Sequence, residues 1–149
     1  MTGSIPDDGG PHFAVTDTPT AADLCDLEDR LDAFNINATG IRDARYLSIF
    51  LRDDAGDLYA GLHGHSWGGC CEIKLLWVAD HRRGAGIGRH LLRMAEIEAM
   101  RRGCRLIVLA THSFQAPSFY ERHGFAPVAT VNDYPAGHAE IFMVKSLTS

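Results

Sequence analysis

One stretch of the chain decides its fold, Leu75-Leu-Trp-Val-Ala-Asp-His-Arg-Arg-Gly-Ala-Gly-Ile-Gly-Arg-His-Leu-Leu92. An apolar run ends at Val78, a polar turn follows, and Gly84, Gly86 and Gly88 lead into a helical pattern. Amides at the start of a helix have no acceptor within it and carry a partial positive charge. Glycines let the backbone approach a phosphate closely. The stretch therefore predicts a pyrophosphate-binding turn between a strand and a helix.

Two other glycine-rich phosphate loops are excluded by the same residues. A nucleotide-hydrolysing P-loop needs Gly-Lys-Ser/Thr, and this chain has Gly88-Arg89-His90. A dinucleotide-binding loop needs a third glycine three residues after the second and an acidic residue about twenty residues later. Neither is present. On the loop alone, a glycine-rich turn with solvated arginines remains the alternative.

The N-terminal part of the chain predicts one strand and one helix. Residues 1–11 are rich in Gly, Asp and Pro and predict a loose tail. Residues 12–15 predict a first strand. A helical pattern begins after Thr20 and ends near Phe34, before a loop over residues 35–40.

The central part predicts an antiparallel meander followed by the long helix. Strands are predicted over residues 46–51, 58–65 and 70–78, because Asp/Gly and Gly-Gly turns separate these β-prone runs. The helix covers residues 86–102, and Gly103 follows it where a glycine commonly ends a helix.

The C-terminal part predicts a buried strand over residues 106–110, a short helix over 116–122, and two final strands over 125–131 and 141–145. The resulting order is β-α-β-β-β-α-β-α-β-β, which is an α/β arrangement in a single domain.

Net charge, cysteine spacing and apolar runs limit the kinds of molecule that this protein is expected to bind. The net charge of −5 argues against a nucleic-acid partner, which usually needs a basic footprint. The four cysteines form no Cys-x-x-Cys pair and the histidines complete no zinc spacing, so we expect reduced thiols and no metal. No leader or membrane span is recognised, which predicts a cytoplasmic protein without a membrane partner.

At two places the chain resembles the GNAT superfamily of N-acetyltransferases. Arg83-x-x-Gly86-x-Gly88 matches its first signature, Gln/Arg-x-x-Gly-x-Gly/Ala, at a strand-to-helix junction. Ala116-x-x-x-Tyr120-x-x-x-Gly124-Phe125 is similar to its second signature, Asn-x-x-Ala-x-x-x-Tyr-x-x-x-Gly-Phe. Ser113 stands at the asparagine position of that signature, which is a departure from the family pattern.

The resemblance implies a fold and a cofactor. The fold is an α+β domain spanning residues 1–149, with a mixed sheet of about seven strands, helices on both faces, and a splay between the fourth and fifth strands. The cofactor is acetyl-CoA. Its pantetheine arm would pair with the backbone of Leu76, Trp77 and Val78. The remaining cofactor-binding residues would be Arg83, Gly84, Ala85, Gly86, Ile87, Gly88, Arg89 and Ser113.

The resemblance also suggests two catalytic residues. Glu72 is the candidate base that deprotonates the amine, and its alternative role is a surface ion pair with Lys74. Tyr120 is the candidate acid that protonates the departing thiolate, and its alternative role is core packing.

Acceptor-binding residues are predicted at three places. His112 follows the buried strand and is an alternative base or water relay. Tyr134 and His138 lie in the last turn, where the family often contacts the acceptor, and Phe34 and Trp67 could supply aromatic walls. The alternative role of His112 is a hydrogen bond to the loop, and the alternative for the other four is a core or turn residue.

The sequence therefore predicts an acetyltransferase that moves acetyl from acetyl-CoA to a primary amine by direct attack in a ternary complex. The acceptor is expected to be a small molecule, either a metabolite or an aminoglycoside-like antibiotic. A protein or peptide amine, and a non-catalytic acyl-CoA-binding module, remain the alternatives. A homodimer is compatible with family habit.

Overall fold

The computed structural model describes residues 11–147 of the 149-residue chain, so all but the last residue of the predicted tail lies outside it. The chain divides into two compact units, residues 1–41 and residues 42–149. Among the described residues, no helix combines the length and the apolar character needed to cross a bilayer.

The first unit contains helix α1, Ala21–Thr39. The hydroxyl of Thr20 caps it by accepting a hydrogen bond from the Asp23 amide at 3.1 Å. The predicted end near Phe34 is wrong, because the asparagines that follow are accommodated in the helix. The helix instead ends at Gly40, whose left-handed backbone (φ 73°) lets its amide bond the Ile36 carbonyl.

The second unit is built on one six-stranded sheet in the order β1-β2-β3-β4-β6-β5. The strands are β1 Arg45–Arg52, β2 Leu58–Trp67, β3 Cys70–Val78, β4 Leu106–His112, β5 Ala126–Asn132 and β6 Ala139–Ser146. About seven strands were expected. The predicted strand over residues 12–15 does not form, and only Ala14 makes an isolated β-bridge there.

Two helices and a single 3₁₀ turn connect the strands. The 3₁₀ turn is Asp80–Arg82, helix α2 is Ile87–Arg101 and helix α3 is Pro117–Arg122. The apolar side of α2 packs into the core through four buried residues, Leu91, Leu92, Ala95 and Ala99. Gly103 follows α2 with φ 80°, which confirms the predicted end of this helix.

A β-bulge in β3 opens the sheet. His63 of β2 lies opposite Leu75, whereas the next residue, Gly64, lies opposite Ile73, so Lys74 is the extra residue on β3. Gly64 is required here because a Cβ would collide with the Glu72 carbonyl. The parallel pairing of β3 with β4 stops at Ile73, directly before the bulge. This confirms the predicted splay. The strands predicted as fourth and fifth are β3 and β4 in the structure, because the strand predicted over residues 12–15 does not form.

Candidate active site

The splay between β3 and β4 forms one side of a cavity of about 760 Å³. The turn before α2 and the start of α3 close its other sides. Its lining comprises Ile73–Val78, Arg82–Gly84, Gly86–Arg89, Leu109–Thr111, Phe114–Ala116, Phe119, Tyr120 and Arg122. The structure therefore brings the glycine loop, the free part of β3 and the tyrosine of the second signature to one cavity.

The glycine loop presents free amides to this cavity. Gly86 is the N-cap of α2 with φ 79°, and no side chain caps the helix. The first hydrogen bond of α2 joins the His90 amide to the Gly86 carbonyl at 3.0 Å. The amides of residues 87–89 consequently have no acceptor within the helix. Gly88, in the first turn of α2, lies close to Phe119 and Val78, since a Cβ there would be 3.6 and 3.8 Å from these side chains.

The lining of the cavity is cationic. Five of its side chains carry positive charge and none of the described lining residues is a carboxylate; the cations are Lys74, Arg82, Arg83, Arg89 and Arg122. Arg83 is fixed by an ion pair with Asp80 at 2.8 Å and by donating from Nε to the Val78 carbonyl at 3.0 Å. In a chain of net charge −5, this concentration of positive charge favours an anionic ligand.

A second, basic groove adjoins the cavity. It has a volume of about 460 Å³, and it shares two lining residues with the cavity, Arg89 and Arg122. Its other lining residues are His90, Leu92, Arg93, Glu96, His123 and Lys145. Its one carboxylate is buried Glu96, which already pairs with Lys145 Nζ at 2.7 Å. Sequence reasoning missed this groove because α2, α3 and β6 each supply part of it.

The edge of β3 that faces β4 has no strand partner beyond Ile73. The backbone of Leu76, Trp77 and Val78 borders the cavity along this edge. Such an edge can hydrogen-bond an extended chain in the manner of an added strand.

Tyr120 projects into the cavity from α3. It is buried, with 9% of its surface exposed, and its ring packs against Phe119 and Phe125 at centroid distances of 5.2 and 5.7 Å. No described residue hydrogen-bonds its hydroxyl. Burial raises the pKa of this phenol above its ordinary value of 10, so the hydroxyl remains a proton donor at neutral pH.

Glu72 lies on β3 just before the bulge. Its carboxylate forms an ion pair with Lys74 Nζ at 2.9 Å and lies 3.7 Å from His65 Nε2. It is not among the residues that line the cavity, whereas its partner Lys74 is. The ion pair considered as its alternative role is thus present in the structure.

Three predicted acceptor residues come together at the end of β4. His112 donates from Nδ1 to the Tyr134 carbonyl at 3.1 Å, and the two rings meet edge to face at 5.3 Å. Phe114, which sequence reasoning missed, stacks on His112 at 5.4 Å and contacts His138 at 5.0 Å. Phe114 lines the cavity. An aromatic residue four positions beyond the predicted buried strand was its only sequence signal.

The other predicted site residues are not among those that line the cavity. Trp67 lies opposite Cys70, at the end of β2 remote from the splay. Phe34 is 67% exposed on α1, in the first compact unit. Ser113 does not line the cavity; its hydroxyl accepts a hydrogen bond from the Ala139 amide at 3.0 Å.

The thiols and possible metal ligands lie outside the cavity. Cys25, Cys70, Cys71 and Cys104 are free, and none of them lines it. Burial raises the pKa of the Cys71 thiol to about 11. In the described part of the chain, no three His, Cys, Asp or Glu side chains converge as metal ligands would.

Comparison with known proteins agrees with this geometry. A family described as "Acetyltransferase (GNAT) domain" matches residues 45–127. The chain is 34% identical over 134 residues to Acetyltransferase Atu2258 of Agrobacterium fabrum, covering 90% of this chain and 98% of that protein. It is 36% identical over 116 residues to the blasticidin-S acetyltransferase of Streptomyces morookaense, covering 75% and 85% respectively.

A crystal structure of a candidate acetyltransferase from Agrobacterium tumefaciens has the same fold. Its TM-score is 0.80 and its sequence identity 34%, over 90% of this chain and 98% of that one. A splayed sheet with a glycine turn and a cationic cleft is the arrangement expected of an acyl-group transferase. The chain belongs to the GNAT family of acetyltransferases, and it is an enzyme of the acyltransferase class.

Proposed function

We propose that this enzyme transfers the acetyl group of acetyl-CoA to a primary amine of a small molecule, by direct attack in a ternary complex. The observation that carries the proposal is the cleft at the splay, which is lined by the start of α2, five cationic side chains and Tyr120. A relative named for acetylating blasticidin S supports an antibiotic-like acceptor, and a metabolite amine is the other member of this class.

The residues of the cleft fit acetyl-CoA. The backbone from Arg83 to Arg89 would receive the pyrophosphate, because its glycines leave the helix amides accessible. The free edge of β3 would pair with the pantetheine arm, and the basic groove would accept further phosphate charge. Ser113 does not line this cleft, and its hydroxyl is already bonded to the Ala139 amide, so a cofactor contact through Ser113 is not part of the proposal.

The transfer needs two proton movements. The amine nitrogen attacks the thioester carbonyl carbon, the carbon–sulfur bond breaks, and the sulfur leaves as a thiolate. Tyr120 donates its phenolic proton to that sulfur, while Glu72 receives the proton lost by the amine through a bridging water. The amide of Val78 or its neighbour stabilises the charge that develops on the carbonyl oxygen.

Direct attack is favoured over a two-step route through an acyl-cysteine. Among the described residues, no cysteine lines the cleft. The Cys71 thiol, with its pKa raised to about 11, remains protonated at neutral pH and is a poor nucleophile.

An amine-panel assay tests the proposal. We expect acetyl-CoA to release its thiol only when a primary amine of the accepted class is present, as measured with a thiol reagent and by the mass of the acetylated amine. Tight acetyl-CoA binding with no release across metabolite amines, antibiotics and peptide amines would instead favour the non-catalytic module. Release with peptides alone would favour the protein-amine alternative.

Glu72→Gln tests the base. We expect kcat to fall by about 10²- to 10⁴-fold with acetyl-CoA affinity retained, because the amide keeps the shape of the side chain but cannot accept the proton. The matched comparison is His112→Asn, measured over the same pH range. A large loss in that variant with full activity in Glu72→Gln would transfer the role of base to His112.

Several further expectations belong to this proposal. The 149 residues act as a single acetyltransferase domain in the cytoplasm, without a metal, a nucleic-acid partner or a membrane partner. His112, Tyr134 and His138 contact the acceptor. A homodimer is compatible with the proposal and is tested by light scattering.

A further inference from the structure

Phe114 follows β4 and is an exposed aromatic residue in the lining of the cleft. It lines the cavity, yet 56% of its surface is exposed. Single exposed apolar side chains are common on protein surfaces, so the exposure of Phe114 matters because the ring lies in a ligand cavity.

The turn that carries Phe114 is fixed on both sides. The Ser113 amide donates to the Ala139 carbonyl at 2.8 Å, and the Ala139 amide returns a bond to the Ser113 hydroxyl at 3.0 Å. The His112 amide donates to Gln115 Oε1 at 2.8 Å, and the Gln115 amide donates to the His112 carbonyl at 2.9 Å. These four bonds hold the Phe114 backbone before any ligand arrives.

The ring itself is supported by two histidines. His112 is parallel to it within 3°, and His138 meets it at an interplanar angle of 73°. His112 is held in turn by the bond from its Nδ1 to the Tyr134 carbonyl. The aromatic cluster of His112, Phe114, Tyr134 and His138 therefore orients an open ring at low entropic cost.

We propose that Phe114 is a specificity-determining residue that stacks on a planar ring of the acceptor, so that the preferred substrates are amines with an aromatic or heteroaromatic group. This inference rests on the proposed acetyl transfer to small-molecule amines. An oriented aromatic face favours offset stacking with another π-system over contact with a puckered aliphatic ring of similar size.

The test compares benzylamine with cyclohexylmethylamine, which match in charge and size and differ in ring planarity. Dissociation constants are measured by calorimetry on the protein saturated with CoA, and kcat/KM with acetyl-CoA. We expect both measurements to favour benzylamine by about two- to tenfold, the range of an aromatic pair beyond its buried area. In Phe114→Leu the preference disappears, and in Phe114→Tyr it is retained.

Phe50→Leu is the matched control. Phe50 is 60% exposed on β1 and does not line the cavity, so its loss should leave the preference for benzylamine unchanged. Equal affinity of the wild-type complex for the two amines, or no binding of either, overturns the inference. An equal loss for both amines in Phe114→Leu also overturns it, because that result indicates a purely structural role. Acetyl-CoA affinity is measured separately. Absence of acetyl-CoA binding would indicate failure of the proposed function, whereas normal binding without a preference for benzylamine would indicate failure of this inference alone.

Discussion

Gly86→Val is expected to weaken acetyl-CoA binding by at least about a hundredfold, equivalent to about 3 kcal/mol. Gly86 has φ 79° at the N-cap of α2, a conformation that a β-branched residue avoids. Relieving that strain rotates the amides of the first turn away from the pyrophosphate. Each charge-assisted hydrogen bond lost costs about 1.5–3 kcal/mol, so the loss of two accounts for the effect. Calorimetric titration with acetyl-CoA measures it.

Gly103→Val provides the matched control at the other end of the same helix. Gly103 also has positive φ, 80°, and a Cβ there would meet no atom within 4 Å. The two variants therefore carry similar backbone strain, and their melting temperatures should fall by similar amounts. Only Gly86→Val should lose the cofactor. Unchanged acetyl-CoA affinity in a folded Gly86→Val protein would contradict the assignment of the loop.

Tyr120→Phe is expected to lower kcat by about 10²- to 10⁴-fold and to leave acetyl-CoA affinity nearly unchanged. The substitution removes the proton donor and keeps the ring that packs against Phe119 and Phe125. Because the hydroxyl has no protein partner among the described residues, its loss leaves no buried group unpaired. Steady-state kinetics and cofactor titration together separate catalysis from binding.

The pH dependence of this loss follows from the burial of Tyr120. Burial raises its pKa above 10, and the proton-donating form is the one below the pKa. The difference in kcat between wild type and Tyr120→Phe should therefore stay constant from pH 6 to pH 9 and shrink only above pH 10. Tyr46→Phe, an exposed tyrosine on β1, is the control and should retain wild-type kcat. Full turnover in Tyr120→Phe would remove Tyr120 from the mechanism.

The sequence predicted the parts of the fold that local signals determine. Cys70–Val78 was predicted with its observed bounds, because Gly-Gly precedes it and the polar turn follows it. Helix α2 was predicted within one residue at each end, between Gly86 and Gly103. Both ends of α2 lie at glycines with positive φ. A glycine is recognised in the sequence as a single residue, so these boundaries could be predicted without knowing any long-range contact.

The features that sequence reasoning missed arise from contacts between distant segments. The bulge at Lys74 becomes visible only in the register of β3 against β2. Phe114 acquires its orientation from the turn over residues 134–138. The basic groove joins α2 and α3 with Lys145, which follows more than twenty residues after α3. The residues that form each of these features are too far apart in the sequence to be read from one short segment.

The arrangement of charge has a consequence for how quickly the donor arrives. The chain carries a net charge of −5, while cationic side chains gather in the cleft and the adjoining groove. For the proposed donor acetyl-CoA, this arrangement would draw the phosphates toward the cleft during diffusional approach, ahead of the acetyl end. Dissolved salt would shorten the range of this guidance to about 8 Å at physiological ionic strength and slow capture more than it slows the transfer itself.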